Sequence, residues 1–214
     1  MDDLAPYAGY FPRQAGAVRQ DLESFAALLR KWNAVQNLVS RETEASLWER
    51  HILDSLQILP LISPSDASFL DLGSGGGMPA IPLAIALKGG RARFQLVEPV
   101  SKKVAFLRQA IRELGLSAAV HAGRSDSLDS RETSGERGFD VITSRALAAL
   151  PMLLGLIHPF FGPETRAILH KGRDYAREIE ESRLAWDFDV VLTDSATETG
   201  AVLLQVSNLR RKTS

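Results

Sequence analysis

"FLDLGSGGGMPAIP", residues 69–82, sets the architecture: an apolar stretch holding the acid Asp71, then Gly73, Gly75, Gly76 and Gly77, then an apolar segment with Pro79 and Pro82. "SFLDL" has the length and composition of a buried strand. "PAIPLAIAL" reads as a helix whose prolines fall in or near its first turn, where a missing N–H costs least. A strand that turns through four glycines into a helix puts bare backbone at the carboxyl end of a strand, where open α/β sheets bind ligands.

The same texture continues on the C-terminal side. "RFQLVE" is the next strand, and "SKKVAFLRQAIREL" the next helix, capped by Ser101 and closed by Gly115. "AAVHA", a short loop helix, the strand "FDVITS", the helix "AALPMLLGLIHPF" and the strand "RAILHK" follow. Strands alternating with helices at this spacing predict parallel βαβ units in a doubly wound α/β sheet. A polar helix over 175–183 then leads into "DFDVVLT", the turn-rich "DSATETG" and "AVLLQVS", a C-terminal hairpin close enough to pair antiparallel. Such a hairpin is less typical of a nicotinamide-binding Rossmann domain than of a methyltransferase domain. The tail "LRRKTS" reads as a frayed end in preference to an RNA-binding arm, and "SDSLDSRETSGERG" as a mobile loop.

On the N-terminal side Val18, Leu22, Phe25, Leu28, Leu29 and Trp32 predict an amphipathic helix over 15–32. Leu47, Ile52, Leu56 and Leu59 predict a second over about 43–59, ended by "LISPSDAS". The expected organisation is an N-terminal helical extension, 1–64, and a methyltransferase-type domain, 65–214, forming one compact unit.

The 214 residues are 45% hydrophobic and 24% charged, as in ordinary globular enzymes. No apolar run approaches the roughly 18 residues of a membrane helix, and the N-terminus lacks the basic and apolar regions of a secretion signal, so a cytoplasmic protein is expected. The absence of cysteine removes disulfides, thiolate metal sites and cysteine nucleophiles. The net charge is −1, so a polyanionic partner must be held by a local patch.

The glycine turn fits neither common nucleotide fingerprint. Gly73 and Gly75 would need a third glycine at 78, where Met78 stands, and no lysine follows before Lys88 as a P-loop requires. Present instead is acid-x-Gly-x-Gly-x-Gly, Asp71 to Gly77 with Ser74 between glycines, and Glu98 ending the next strand. A carboxylate there suits a ribose diol. This pairing resembles the S-adenosylmethionine site of class I methyltransferases. After the third strand, Ser125 and Asp126 are candidates for the adenine amino group, or else a helix cap.

More specific are "LLRKWNAVQNLVS", "ERHILDSLQ", "FLDLGSGGGMPAIPLAI", "VEPVSKKVAFLRQ", "FDVITSRALAAL" and "AILHKG", in that order. They resemble the RsmG (GidB) family over about 28–172. The resemblance implies methyl transfer from S-adenosylmethionine to N7 of a guanine in 16S ribosomal RNA near the decoding centre. Most members carry proline within the glycine turn, where Gly76 stands here, and leucine or phenylalanine at Met78.

The residues suit that chemistry. Guanine N7 has a lone pair and no proton, so in-line displacement needs no general base, only orientation and exclusion of water. Lack of cysteine removes the thiolate route to pyrimidine C5, and no Asn/Asp-Pro-Pro-aromatic motif marks an exocyclic amine methylase. For Arg145 three roles compete: the cofactor carboxylate, an RNA phosphate, or guanine itself. The last is discounted because it would cover N7, and the resemblance implies the first. Lys171 is a candidate for a phosphate or guanine O6 contact. His51, Asp54 and Ser55 share a helical face, either lining the substrate side or joining helix to domain by hydrogen bonds. Asn33 and Asn37 are candidates to anchor that cap, and no metal site is expected. Arg30, Lys31, Arg41, Arg50, Lys102, Lys103, Lys171, Arg173 and Arg177 are candidates for a patch that docks 16S ribosomal RNA or the small subunit by shape; a monomer is expected. An NAD-dependent oxidoreductase and a non-catalytic RNA-binding factor are the alternatives. The first lacks the third glycine and a proton-donor pair, and the second has no use for an intact 71–77 turn.

Overall fold

A computed structural model describes residues 3–40, 44–128 and 138–213. Arg41 and most of the polar 125–138 stretch lie outside them. Seven strands form one sheet in the order β3-β2-β1-β4-β5-β7-β6. They are β1 Ser68–Leu72, β2 Arg93–Glu98, β3 Ala118–Ala122, β4 Val141–Arg145, β5 Arg166–Lys171, β6 Trp186–Asp194 and β7 Val202–Arg211. The first five pair in parallel. β7 alone runs against its neighbours β5 and β6.

Strand alternation divides the core in two, because successive side chains point to opposite faces. Phe69, Val141, Ile168 and Leu203 pack into one apolar layer. Their sequence neighbours Leu70, Ile142, Leu169 and Leu204 pack into the other. On the first face lie α1 Ala15–Gln36, α3 Ala80–Ala86 and α4 Ser101–Glu113, and on the second α5 Leu150–Ile157 and α6 Tyr175–Ser182. Helices on both faces make the sheet doubly wound, as the alternation predicts.

The N-terminal segment packs on the first layer. Leu22, Phe25 and Leu29 of α1 are fully buried, each contributing about 1.5–3 kcal/mol of apolar transfer, and the Trp32 ring meets Phe106 of α4 edge-on at 5.8 Å. α1 ends at Asn37 in a left-handed conformation, φ 49°. The buried Asn33 side chain accepts the Val39 N–H at 2.9 Å, fixing the turn that passes over Gly76, whose Cβ position lies 3.2 Å from the Leu38 carbonyl.

Three local expectations are corrected. The second helix has π pitch over Trp48–Leu53 and continues with α geometry in α2, Asp54–Leu56. This places His51 and Asp54 on one partner but turns Ser55 fully inward, its hydroxyl donating to the His51 carbonyl at 2.6 Å. Ser101 is the first residue of α4 and does not cap it; Glu98 receives the Val100 amide instead. The tail is strand as far as Arg211, because Leu209 is buried and Arg210 and Arg211 pair with Asp187 and Trp186. No described helix is long and apolar enough to cross a membrane.

Candidate active site

Leu72, Glu98, Ala122 and Arg145 end four adjacent parallel strands, so their ends open on one rim at the point where strand order reverses about β1. At the centre of that rim stands the glycine turn. Gly73, Gly75 and Gly77 have φ of 71°, 53° and 88°. A Cβ on Gly77 would lie 2.6 Å from Cγ1 of the buried Ile81, so close approach as well as backbone conformation requires glycine there, while at Gly73 the backbone conformation requires it and a Cβ would lie 2.7 Å from Cδ1 of the exposed Leu147. The Ser74 hydroxyl donates to the Asp71 carbonyl, and Met78 is buried against the first core layer.

Asp71 lies beneath the turn, 1% exposed. Thr143 Oγ1 donates to its Oδ1 at 2.7 Å, while Oδ2 has no hydrogen-bond partner. Burial pushes the carboxyl up to about 6, against the pull of Ser74, Thr143 and the more distant Arg145 charge. A buried acceptor left open in this way suits a donor brought by a ligand, such as an ammonium group. Glu98, 3% exposed, accepts the Gly75 amide at 2.8 Å on one oxygen and the Val100 amide at 2.9 Å on the other. It thereby ties the end of β2 to the turn, and each oxygen keeps a second lone pair for a ribose diol. Ser125 is half-buried in a single turn after β3, and Asp126 is exposed and paired with Arg124 at 3.3 Å. These groups fit the methionine, ribose and adenine parts of S-adenosylmethionine.

Beside the turn lies a polar cleft of ≈ 360 Å³ lined by, among others, Arg50, His51, Asp54, Arg145, His170 and Lys171. Arg145 turns away from Gly73 toward the N-terminal segment. It donates to Asp54 Oδ2 at 3.0 Å, the Arg50 carbonyl at 3.2 Å and His51 Nδ1 at 2.8 Å. Asp54 Oδ1 accepts from Gln57 Nε2 at 2.7 Å and Thr197 Oγ1 at 2.6 Å, and His170 donates to the Asp54 carbonyl at 2.9 Å. Burial raises the Asp54 pKa, but His170, Thr197 and Arg145 outweigh it and hold the carboxyl below the usual range. Burial and the Arg145 charge push His51 down to about 4, so it is neutral.

Lys171, only 8% exposed, forms an ion pair with Glu178 and donates to the Ala148 carbonyl at 3.1 Å. It is therefore not a surface cation. Arg50 pairs with Glu198 at 3.0 Å. Arg30, Lys31, Lys102 and Arg173 are exposed and Lys103 half-buried. The structure thus gathers Asp71, Gly73, Gly75, Gly77 and Glu98 at one turn and His51, Asp54 and Arg145 at the adjoining cleft. Gln57, Thr197, Glu178 and Glu198 join these networks unforeseen. Thr197 and Glu198 sit in a stretch legible only as turn-rich, and nothing in the spacing ties it to residue 54. Among the described residues no group of three or more His, Cys, Asp and Glu is arranged to hold a metal.

Comparison with known proteins agrees with this geometry. The chain is 46% identical over 195 residues to the ribosomal RNA small subunit methyltransferase G of Brucella ovis, spanning 90% of this chain and 88% of that one. The proteins of the same name from Brucella abortus and Brucella suis match to the same extent. Among solved structures, a methyltransferase from Geobacter sulfurreducens gives a TM-score of 0.58 at 16% identity, covering 88% of each chain. The Bacillus cereus O-methyltransferase in complex with SAH gives 0.56 at 18% identity, covering 92% and 93%. At those identities the likeness speaks for the fold, that of class I methyltransferases, whose cofactor is S-adenosylmethionine. The GidB family model, described as rRNA small subunit methyltransferase G, matches residues 18–204, and the chain belongs to that family.

Proposed function

We propose that this protein transfers a methyl group from S-adenosylmethionine to N7 of a guanine in 16S ribosomal RNA, near the decoding centre, with no general base. The family supports the RNA substrate. When bound, the cofactor supplies an electrophilic methyl on a sulfonium. Asp71 receives its amino group, Glu98 its ribose and the 73–77 backbone its flanks. Ser125 and Asp126 stand at the strand end where adenine is expected.

The N7 reading is carried by the state of the cleft's titratable groups. Asp54 has both oxygens engaged and its pKa lowered. His51, at about 4, is a poor proton acceptor at neutral pH. A cleft that positions without accepting protons suits a nucleophile that has none to lose. The N7 lone pair forms the new N–C bond as the S–C bond breaks, and the base becomes cationic without deprotonation. Arg145, His51 and Asp54 would shape the guanine side of the cleft, with Arg30, Lys31, Lys102, Lys103 and Arg173 as phosphate contacts around it. Lys171, buried and paired, acts from behind.

The test is transfer of labelled methyl to 16S RNA and to small subunits from cells lacking the modification. Label on one guanine in either substrate supports the proposal, and label on neither overturns it. A non-catalytic RNA-binding protein would bind RNA without transfer, and an oxidoreductase would bind a nicotinamide cofactor instead.

A further inference from the structure

The five residues after β4 begin with an unusual backbone conformation. Ala146 has φ 54°, a left-handed conformation that residues with a Cβ rarely adopt and that persists only where the surroundings over-determine it. Both flanks are clamped. Upstream, Arg145 is held by Asp54, His51 and the Arg50 carbonyl. Downstream, Lys171 Nζ donates to the Ala148 carbonyl at 3.1 Å, and Glu178 Oε2 accepts the Leu150 amide at 2.6 Å while pairing with the same Lys171. Between the clamps Leu147 is pressed on the cofactor turn, its Cδ1 2.7 Å from where a Gly73 Cβ would stand.

We propose that Lys171 and Glu178 are positioning residues for the cofactor site: their ion pair fixes the backbone of 146–150 and, through Leu147, the conformation of Gly73. Three observations favour this over a direct RNA contact for Lys171. The Lys171 side chain is 8% exposed and that of its partner Glu178 16%. Two of its three donors are already spent on Ala148 and Glu178. Drawing it to a phosphate would strip the charge partner from a carboxylate held at the first residue of α5. Lys171 and Glu178 bond to the backbone of Ala148 and Leu150 rather than to the glycine turn, so their influence passes through Leu147.

The inference rests on the S-adenosylmethionine reading of the glycine turn and is tested by calorimetric titration with S-adenosylhomocysteine. Glu178→Gln keeps an oxygen for the Leu150 amide but removes the charge opposite Lys171. Its dissociation constant should rise on the order of tenfold, about the effect of one lost positioning contact, with affinity for 16S RNA unchanged. Leu147→Ala should show a similar rise, and the double variant no more than either, because both act on one link. The cofactor KM should rise while the RNA KM stays. Wild-type affinity in Glu178→Gln, or effects that multiply in the double variant, would overturn the inference. Should Glu178→Gln fail to fold, Lys171→Met with Glu178→Gln leaves no unpaired buried charge and must show the same loss. A wild-type protein that does not bind S-adenosylhomocysteine would instead sink the cofactor reading.

Discussion

Replacing Gly77 with alanine should cost far more stability than the same change at Gly73, although both sit in one turn. At Gly77, φ is 88° and the new Cβ would come within 2.6 Å of Ile81 Cγ1 and 3.2 Å of Leu107 Cδ2. Ile81 and Leu107 are fully buried, so neither can swing into solvent. Left-handed backbone costs about 1–2 kcal/mol and overpacking a further 1–3 kcal/mol or so. The expected loss is roughly 2–5 kcal/mol, which for a chain of this size lowers Tm by roughly 5–15 °C. At Gly73, φ is 71°, and the clash is with the far end of Leu147, which is 41% exposed and can be pushed outward off the turn without repacking the core. Only the backbone cost of about 1–2 kcal/mol remains, yet displacing Leu147 should still weaken the cofactor site. Urea unfolding of the ligand-free proteins, paired with S-adenosylhomocysteine titration, reads both quantities. Equal stability losses at the two positions, or Gly77→Ala melting within about 2 °C of wild type, would refute the packing argument.

Two buried groups titrate with opposite effects. The Asp71 pKa, raised to about 6, makes the folded protein lose stability as pH climbs from 3.8 toward 6. The His51 pKa, lowered to about 4, makes it gain stability from 4 toward 6.5. Each is worth about 3 kcal/mol. Relative to wild type, Asp71→Asn should therefore grow more stable as pH rises through that window and His51→Gln less stable; denaturant midpoints between pH 4 and 7 that run parallel to wild type would contradict both placements. Asp140 accepts the Ala67 and Ser68 amides at 2.8 Å and the Ser68 hydroxyl at 2.9 Å, joining β1 to β4 at the end opposite the site. Asp140→Ala should cost about 1.5–3 kcal/mol and leave S-adenosylhomocysteine affinity near wild type. Glu198→Gln releases Arg50 from its ion pair. Filter binding of 16S RNA at low salt should tighten a few-fold, with a gain that vanishes in Arg50→Ala.

How much of this was legible in the sequence follows from the range of the interactions. Strands and helices of the α/β core could be read because their apolar periods are local and end in Gly or Pro signals, as at Gly115 and Ser63 to Pro64. The glycine turn could be read because Asp71 to Gly77 and Glu98 each close a strand. Arg145 was legible as a rim residue, but its partners Asp54 and His51 lie more than 90 positions away, and no spacing rule connects them. Lys171 looked like a free cation because Glu178 is on the next helix, where its charge reads as solvated. The π pitch at 48–53 was hidden because Leu47, Ile52 and Leu56 satisfy an α-helical pattern as well.

The atom that carries the transferred methyl decides the matter. RNA methylated by this protein with labelled cofactor should be reduced with borohydride and cleaved with aniline, which opens the chain at N7-methylguanosine, and the labelled nucleotide identified by mass spectrometry. Cleavage at a single labelled guanine of 16S RNA is the predicted result. Label at a ring carbon, an exocyclic amine or a ribose hydroxyl, with no aniline-sensitive site, would contradict a base-free transfer to N7.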